Sequence, residues 1–416
     1  MNRREFLGAA AGLAAPAARP NFLFLISDQT RADVLAVSGN TFVHTPNLDG
    51  LARGGVRFSN AYCPQALCTP SRASLLTGVY PHTTGLDHNL YKVESALRLP
   101  EYRLTPNWPA LLREAGYTTG YIGKWHLGEA DPALFDYWNG YNSLQPHWMG
   151  KPYESQYRSD AETDDAMAFL DKNRSRPFAL IVSYYPPHTP YQAPKKFQDL
   201  YAGQQLEQME YYAAVSAVDW NVGRLLEKLN ALGLAANTLV SFTADHGETF
   251  GKRLGSTNKT VSYEESAKVP LLARWPVRLP RGLVYEGGVC TIDLMPTILE
   301  AAGLPRPSRL QGRSRLGEME KRQTGWKAPV FLQNITQKMV DGRPLVERAV
   351  RTEKWKLILR DRVRNELYNL EEDPGEQKDL FPDPRSQAKV RELAGLILAW
   401  GRRVDDRVAV DLAKAL

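Results

Sequence analysis

Continuous apolar runs alternate along this chain with segments whose apolar residues recur at helical spacing. The runs predict strands buried on both faces of a parallel sheet, and they lie at Asn21–Ser27, Tyr117–Ile122, Phe178–Tyr184, Thr238–Thr243 and Val269–Arg274. The segments with helical spacing are Trp108–Ala115, Glu162–Asn173, Leu206–Leu232 and Ile292–Ala302. This alternation indicates an α/β fold in which helices sandwich a large, mixed and mostly parallel sheet.

The pattern changes near Pro329. Four short candidate strands and one candidate helix follow, at Pro329–Asn334, Val346–Thr352, Lys354–Arg360, Glu366–Leu370 and Arg385–Trp400. We therefore expect a small antiparallel α+β subdomain at residues 326–416, after a catalytic domain at residues 19–325.

Residues 1–18 have the composition of a targeting segment. Arg3 and Arg4 precede thirteen uncharged, mostly small residues that start at Phe6 and end in an Ala-Pro-Ala stretch. This arrangement predicts a twin-arginine export signal and a periplasmic or secreted protein, with an amphipathic N-terminal arm as the alternative. No stretch approaches the roughly 18 apolar residues of a membrane helix, so no membrane span is expected.

Composition excludes several classes of protein. Of the 416 residues 43% are hydrophobic and 24% charged, which is typical of a folded globular chain. Three cysteines are too few for a disulfide scaffold. The net charge of +6 is too dilute over this length to favour nucleic acid; it suits anionic substrates, and a generic solubilising charge explains it equally well.

Reactive side chains follow four of the predicted strands. In open α/β sheets, ligands gather beyond the carboxyl ends of the strands. The residues at these points are Asp28 and Gln29, Lys124 and His126, His188, and Asp245 and His246. One Asp after a strand is often only a helix cap, but four successive coincidences indicate the site of a metal-assisted hydrolase.

A second candidate for the functional site is the segment Cys-Thr-Pro-Ser-Arg, which begins at Cys68 and precedes a short helical run. Pro70 suits the first helical position and Thr69 the cap, which would leave Cys68 just outside the helix N-terminus. Backbone N–H groups and the helix dipole favour an anion there and would lower the pKa of the thiol. From the residues alone, a thiolate enzyme and a buried structural cysteine both stay open.

Residues 68–78 (CTPSRASLLTG) resemble the signature of the type I sulfatases, in which the cysteine of Cys-x-Pro-x-Arg is oxidised to formylglycine by a separate maturation enzyme. Residues 116–128 (GYTTGYIGKWHLG) resemble the second signature of that family. Shorter matches are HTPNLDGLA at 44–52, PHTPY at 187–191, ADHGE at 244–248 and ELYNLEEDPGEQKDL at 366–380. The resemblance runs from about Arg19 to Leu380 and implies an alkaline-phosphatase-like fold.

This resemblance implies a nucleophile and a metal. Formylglycine made from Cys68, in its hydrated form, would attack the sulfur of a sulfate ester beside a divalent cation, with calcium expected. The implied metal ligands are Asp28, Gln29, Asp245, His246 and the modified Cys68. Many family members carry Asp-Asp at the first pair and Asp-Asn at the second, so Gln29 and His246 leave magnesium or manganese open.

Five further roles come from the same resemblance. Arg72 would hold the formylglycine hydrate, and Lys124 would bind sulfate. His126 would be the base that releases the product, whereas His188 and Lys259 would bind sulfate or protonate the leaving oxygen. Taken singly, either lysine would be interpreted as a solvated surface residue, and the segment 251–260 departs from the family's spacing.

Other residues have more than one interpretation. The seven aromatic residues within 135–157 could stack on a sugar or aryl group, or could pack beneath an insertion. His44 and His82 are interpreted as structural. A bond between Cys63 and Cys68 would block maturation, whereas pairing of Cys63 with Cys290 is left open.

Three functions follow. The first is a sulfuric-ester hydrolase acting on a sulfated sugar, a glycan fragment or an aryl sulfate. The second is a phosphonate monoester or phosphodiester hydrolase, because related enzymes carry the Asp-Gln and Asp-His pairs found here. The third is a non-catalytic binder of sulfated glycans in which Cys68 stays a thiol.

Overall fold

The computed structural model describes residues 19–90, 106–128, 134–143, 145–254 and 258–416. The predicted export signal at 1–18 lies outside these ranges. The strands are β1 (Asn21–Ser27), β2 (Val56–Phe58), β3 (Ala61–Tyr62), β4 (Thr118–Lys124), β5 (Tyr137–Tyr141), β6 (Phe178–Tyr184), β7 (Thr238–Ala244), β8 (Leu271–Arg274), β9 (Leu283–Tyr285), β10 (Val289–Cys290), β11 (Val330–Val340), β12 (Arg343–Arg351), β13 (Trp355–Arg360) and β14 (Glu366–Asn369).

The helices of the described ranges are numbered in chain order. They are α1 (Pro46–Arg53), α2 (Cys68–Thr77), α3 (Pro81–Thr84), α4 (Trp108–Glu114), α5 (Arg158–Asn173), α6 (Lys195–Gln198), α7 (Met209–Ala231), α8 (Glu264–Ala267), α9 (Leu294–Ala301), α10 (Leu316–Glu320), α11 (Gln387–Val404) and α12 (Arg407–Lys414). None of the described helices is both long and apolar enough to cross a membrane.

The main sheet has eight strands in the order β5-β4-β6-β1-β7-β8-β2-β9. Its first five strands are parallel to one another, whereas β8 is antiparallel to both of its neighbours. The mixed, mostly parallel sheet predicted from the apolar runs is therefore confirmed. Because Ser27 is in register with both Tyr184 and Ala244, the chain leaves β1, β6 and β7 at the same edge.

Helices cover both faces of this sheet. Phe22, Phe24 and Ile26 of β1 pack in a cluster with residues of α2, α4 and α9 on one face. Leu23 and Leu25 pack with residues of α5 and α7 on the other. A strand that alternates between two apolar layers needs apolar residues at every position, which explains the continuous run at 21–27.

The C-terminal region forms an antiparallel sheet in the order β11-β12-β13-β14. Helix α11 packs on it, and the ring of Trp400 stacks on that of Phe331 at 4.8 Å between centroids. The predicted small antiparallel subdomain is confirmed. Its first hairpin is longer than predicted, since Asp341 and Gly342 both have positive φ and close a two-residue turn between β11 and β12.

Other boundaries differ from the prediction by up to four residues, and two of these differences have a local reason. Strand β8 begins at Leu271 rather than Val269, and Pro270, which has no N–H to give to a ladder, stands directly before it. Helix α9 begins at Leu294, after a 3₁₀ turn over Thr291–Asp293 that the periodicity did not separate from it.

Candidate active site

The shared edge of β1, β4, β6 and β7 gathers the reactive side chains. Asp28 follows β1, Lys124 ends β4, and Asp245 follows β7. All three side chains are completely buried. These side chains thus lie together at the carboxyl ends of the strands, as expected from the sequence.

Cys68 lies at the start of α2 rather than just outside it. The helix begins at Cys68, and its cap is the extended residue Leu67, so the predicted cap at Thr69 and first position at Pro70 are wrong. The hydroxyl of Thr69 instead donates to the carbonyl of His126 at 2.6 Å, which ties α2 to the segment after β4. Gly78, in the left-handed region, ends the helix.

Arg72, one turn into α2, holds the two carboxylates in place. Its Nη2 donates to Asp28 Oδ2 at 3.0 Å and its Nε to Asp245 Oδ2 at 2.9 Å. Its Nη1 donates to the carbonyl of Lys124 and to the hydroxyl of Ser183. These contacts orient the two Oδ2 atoms toward the guanidinium and leave both Oδ1 atoms directed toward Cys68 and His246.

The ionisation of the two carboxylates is uneven. Burial opposes the charge on Asp28, but Lys124 and Arg72 hold the pKa of its carboxyl below the usual range. Lys124 Nζ lies 2.6 Å from Asp28 Oδ2. Burial, and then the charge of Asp28, raise the pKa of Asp245. The pair therefore concentrates negative charge where a cation would relieve it.

His246 completes a set of four potential ligands. Its Nδ1 donates to the carbonyl of Gly247 at 2.8 Å, so the neutral ring has its lone pair on Nε2. That atom lies 3.3 Å from Cys68 Sγ, 3.8 Å from Asp28 Oδ1 and 3.7 Å from Asp245 Oδ1. The ligand atoms of these residues lie within 4.8 Å of one another. Two carboxylates and an imidazole with a fixed lone pair fit a divalent cation.

Two lysines approach Cys68 from different sides. Lys259 Nζ lies 3.5 Å from the sulfur and Lys124 Nζ lies 3.9 Å from it. Burial alone would raise the pKa of this thiol, but Lys124, Lys259 and His246 together lower it well below its usual value. An anionic oxygen bound at Cys68 would meet both ammonium groups.

His188 contacts the same lysine. Its Nδ1 donates to the carbonyl of Thr189 at 2.8 Å, which leaves Nε2 to accept from Lys259 Nζ at 3.2 Å. Lys259 also donates to Gln29 Oε1 at 3.1 Å. The structure therefore brings Lys259 into the cluster despite the unusual spacing of the segment 251–260.

His126 is buried beside Cys68 with a positive φ of 56°. Burial lowers the pKa of its imidazole to about 4, and a hydrogen bond with the Cys68 side chain opposes this shift. At neutral pH the ring is uncharged and can accept a proton.

Sequence reasoning gave no role to Glu248, His147 or Tyr185. Glu248 is fully buried and accepts from the amide of Gln29 and from the hydroxyl of Tyr191 at 2.8 Å. The ring of Tyr185 stacks on those of His147 and His188, at 4.7 and 4.8 Å between centroids. Glu248 stands in the matched ADHGE segment and Tyr185 directly after β6, and these positions were the available signals.

Other predicted residues lie outside this cluster. His82 bonds to Gln333 and to the carbonyl of Val404, as its structural interpretation requires. His44 packs its ring against Tyr201. Cys63, Cys68 and Cys290 are free thiols.

Most of the described aromatic residues of the segment 135–157 pack against other rings of the protein, which favours the packing interpretation over sugar stacking. Phe135 and Trp138 join the ring cluster of Tyr121 and Trp125. Farther along, the buried rings of Trp148 and Tyr157 pack on each other at 5.2 Å between centroids.

Comparison with known proteins identifies the family. The model of the family described as Sulfatase matches residues 20–304, and that of the N-sulphoglucosamine sulphohydrolase C-terminal region matches residues 253–400. The chain belongs to the sulfatase family. This sulfatase is 32% identical over 416 aligned residues to an ulvan-active sulfatase from Formosa agariphila, with 90% of this chain and 80% of that protein covered.

Two further relatives differ in the activity they are named for. The sulfatase is 26% identical to an N-acetylglucosamine-6-O-sulfatase from Bacteroides thetaiotaomicron, over 91% of this chain and 86% of that protein. A phosphonate monoester hydrolase structure from Agrobacterium radiobacter superposes with a TM-score of 0.77 at 19% identity, covering 93% of this chain and 96% of that one. At this identity, the similarity to the phosphonate monoester hydrolase shows a shared fold only.

Proposed function

We propose that this sulfatase is a formylglycine-dependent sulfuric-ester hydrolase that releases inorganic sulfate from a sulfated sugar or glycan. One observation carries the proposal: Cys68 Sγ lies in one buried cluster with Asp28, Asp245 and His246, and two ammonium groups approach it. The relatives named for ulvan and for N-acetylglucosamine support a carbohydrate over a simple aryl sulfate.

The proposal includes a divalent cation, with calcium first and magnesium or manganese as alternatives. Asp28, Asp245, His246 and position 68 would hold it, with Gln29 as a further candidate through its amide oxygen. When bound, the cation supplies Lewis-acid polarisation of the ester and lowers the cost of bringing anions together.

The nucleophile requires modification of Cys68. A maturation enzyme, which brings its own oxidant, would convert the Cβ–SH group to an aldehyde, and the thiol sulfur described above stands in for an oxygen on that carbon. The hydrated aldehyde supplies one hydroxyl for attack and a second for expelling sulfate. Arg72 would act mainly by fixing the two carboxylates around this carbon.

The remaining residues bind the sulfate group or transfer protons. Lys124 and Lys259 bind the ester oxygens, because both ammonium groups point at position 68 from buried positions. Lys259 and His188 share a hydrogen bond and protonate the leaving oxygen. Neutral His126 takes the proton that accompanies sulfate release. We assign these steps to a catalytic domain at residues 19–325 of a protein exported by the twin-arginine route.

The test uses protein produced with a formylglycine-generating enzyme. Sulfate release is measured on a panel of sulfated monosaccharides, and the mass of the peptide that carries Cys68 is determined in parallel. We expect an aldehyde at position 68, turnover in the native chain and none in Cys68→Ala. Cys290→Ala is the matched control, since it removes another buried thiol but should keep activity. Equal turnover by Cys68→Ala and the native chain would refute the proposal.

A phosphonate monoester hydrolase is the second candidate, favoured by the imidazole and the neutral amide in the ligand set. Compared with the Asp-Asp and Asp-Asn pairs of many sulfatases, Gln29 replaces a carboxylate by a neutral amide and makes the ligand set less negative. His246 replaces an amide oxygen by an imidazole nitrogen. Matched aryl sulfate and aryl phosphonate esters separate the two functions. A kcat/KM at least about tenfold higher for the phosphonate, a difference of about 1.4 kcal/mol in transition-state binding, would make it the primary activity.

A further inference from the structure

A cavity lies away from the catalytic cluster, where the main domain meets the C-terminal sheet. It has a volume of about 590 Å³, within the range of roughly 300–1,000 Å³ that small-ligand sites occupy. Its walls come from residues 290–293, 306–315, 328–331 and 403–405, together with Tyr80. We call it the arginine groove.

Positive charge dominates the arginine groove. Five arginines and two aspartates line it: Arg306, Arg309, Arg313, Arg315, Arg403, Asp293 and Asp405. Within this set, the buried Arg315 pairs with Asp293 at 2.6 Å, so these two charges cancel. Four guanidinium groups and one carboxylate are left.

The four remaining arginines lack acidic partners. Among the residues that the structure describes, none of Arg306, Arg309, Arg313 and Arg403 forms an ion pair. Arg306 bonds the carbonyls of Leu310 and Gly312, which fixes the loop that bears Arg309 and Arg313. Three guanidinium groups consequently line a shared cavity, in which Asp405 is the one acidic side chain not paired with Arg315. Planar guanidinium groups bind sulfate and carboxylate oxygens in pairs, which an ammonium group cannot do.

Helix α2 separates the groove from the nucleophile. Cys68 begins the helix, and the carbonyl of Gly78 at its far end accepts from the backbone N–H groups of Gln311 and Gly312 in the groove wall. Ten helical residues span about 15 Å. An anion in the groove therefore cannot be the one that reacts at Cys68.

We propose that the arginine groove binds an anionic segment of a polymeric glycan, through its sulfate or carboxylate groups, while another part of the same chain enters the catalytic cluster. The choice of a glycan rests on the proposed function. Binding of a repeating polyanion at two places raises its effective concentration at the catalytic cluster, an advantage that a monosaccharide sulfate does not have.

The test compares two double variants of the full, matured chain. Arg309→Glu/Arg403→Glu reverses two exposed groove charges that have no partner to lose. Arg174→Glu/Arg281→Glu makes the same change of net charge at two exposed arginines outside the groove. Binding of dextran sulfate is measured by isothermal titration calorimetry, with neutral dextran as the uncharged probe. Turnover of a small aryl sulfate reports on the catalytic cluster.

We expect the groove variant to lose dextran sulfate affinity at least tenfold and the control variant less than twofold. Neither should change kcat/KM for the small ester. Equal losses in both variants, or none in either, would overturn the groove assignment. The outcome is separate from the proposed function. A groove-specific loss, with no turnover of the aryl sulfate or of any sulfated monosaccharide by the matured chain, would keep the groove and reject the hydrolase. Turnover with equal binding losses in both variants would do the reverse. If the groove variant proves unstable, Arg309→Gln/Arg403→Gln repeats the comparison with a smaller expected loss.

Discussion

The side-chain N–H of Gln29 donates a hydrogen bond to the buried carboxylate of Glu248. Among the described residues, no lysine or arginine side chain pairs with that carboxylate. This bond decides which way the amide of Gln29 faces. Its oxygen is turned the other way, to Lys259 Nζ at 3.1 Å and so toward Cys68. A carboxylate at position 29 would need no such partner, because its two oxygens are equivalent. Glu248 therefore orients the amide of Gln29 so that its oxygen can take the place of the aspartate oxygen that many sulfatases have at this position.

The first prediction concerns Glu248→Gln. A glutamine at position 248 can either accept from the amide nitrogen of Gln29 or donate to its amide oxygen, so that oxygen is no longer held toward the cation. Changes to such outer partners typically weaken metal binding by about 10–100-fold. We expect the calcium Kd, measured by titration calorimetry, to rise by at least about tenfold. Tyr191→Phe removes the other side-chain bond to Glu248 and should change the Kd less than threefold. An unchanged Kd in Glu248→Gln would show that Gln29 does not contribute to the cation site.

The second prediction is that a cation stabilises the fold. Asp28 and Asp245 are completely buried with their Oδ1 atoms directed to the same space. A ligand that binds only the folded state, at 100 times its Kd, adds about 2.7 kcal/mol to the free energy of unfolding. We expect calcium to raise the melting temperature of chelator-treated protein by several degrees. His246→Ala should shrink this rise at the same calcium concentration, and an identical rise in both proteins would exclude His246 as a ligand.

Much of this site could be predicted from the sequence because a parallel sheet aligns the ends of its strands. Asp28, Lys124 and Asp245 need only the register of β1, β4 and β7 to meet, and continuous apolar runs mark those strands. The sequence predicts the N-terminus of α2 two residues too late, because proline is most common at the first helical position and Pro70 is the third residue of this helix. Pro70 is tolerated as the third residue of the helix because N–H groups in the first turn have no intrahelical partner.

The position of Lys259 and the role of Glu248 could not be predicted from the sequence. Lys259 lies on an irregular segment after β7 without hydrophobic periodicity, so only the folded loop brings its Nζ to Cys68. The role of Glu248 depends on the rotation of one amide, that of Gln29. The arginine groove depends on how the C-terminal sheet packs against residues 290–315, and nothing in the local pattern of either part encodes that contact.

The third prediction separates sulfate binding from proton donation at Lys259. Lys259→Met keeps the length of the side chain but removes the proton that it shares with His188. A sugar alkoxide leaves poorly without a proton, whereas 4-nitrophenolate leaves readily. We expect kcat/KM to fall at least about tenfold more for a sulfated sugar than for 4-nitrophenyl sulfate, within the range of general-acid contributions. Lys252→Met, at an exposed lysine paired with Glu207, should affect neither substrate. Equal losses on both esters would limit Lys259 to binding the sulfate group.

The fourth prediction concerns Glu162, a buried residue of α5 that forms no ion pair among the described residues. Burial raises the pKa of Glu162 to about 8, against the opposing effect of Arg158. The folded chain thus binds a proton that the unfolded chain loses above pH 4.5, so this group destabilises the fold progressively as pH rises from 4.5 to 8. Glu162→Gln cannot ionise. We expect its free energy of unfolding, relative to that of the native chain, to increase by about 4 kcal/mol between pH 5 and pH 9 in urea titrations. Glu300→Gln, at an exposed position, should show no such trend, and a constant difference for Glu162→Gln would mean that the carboxylate is already ionised and solvated in the folded protein.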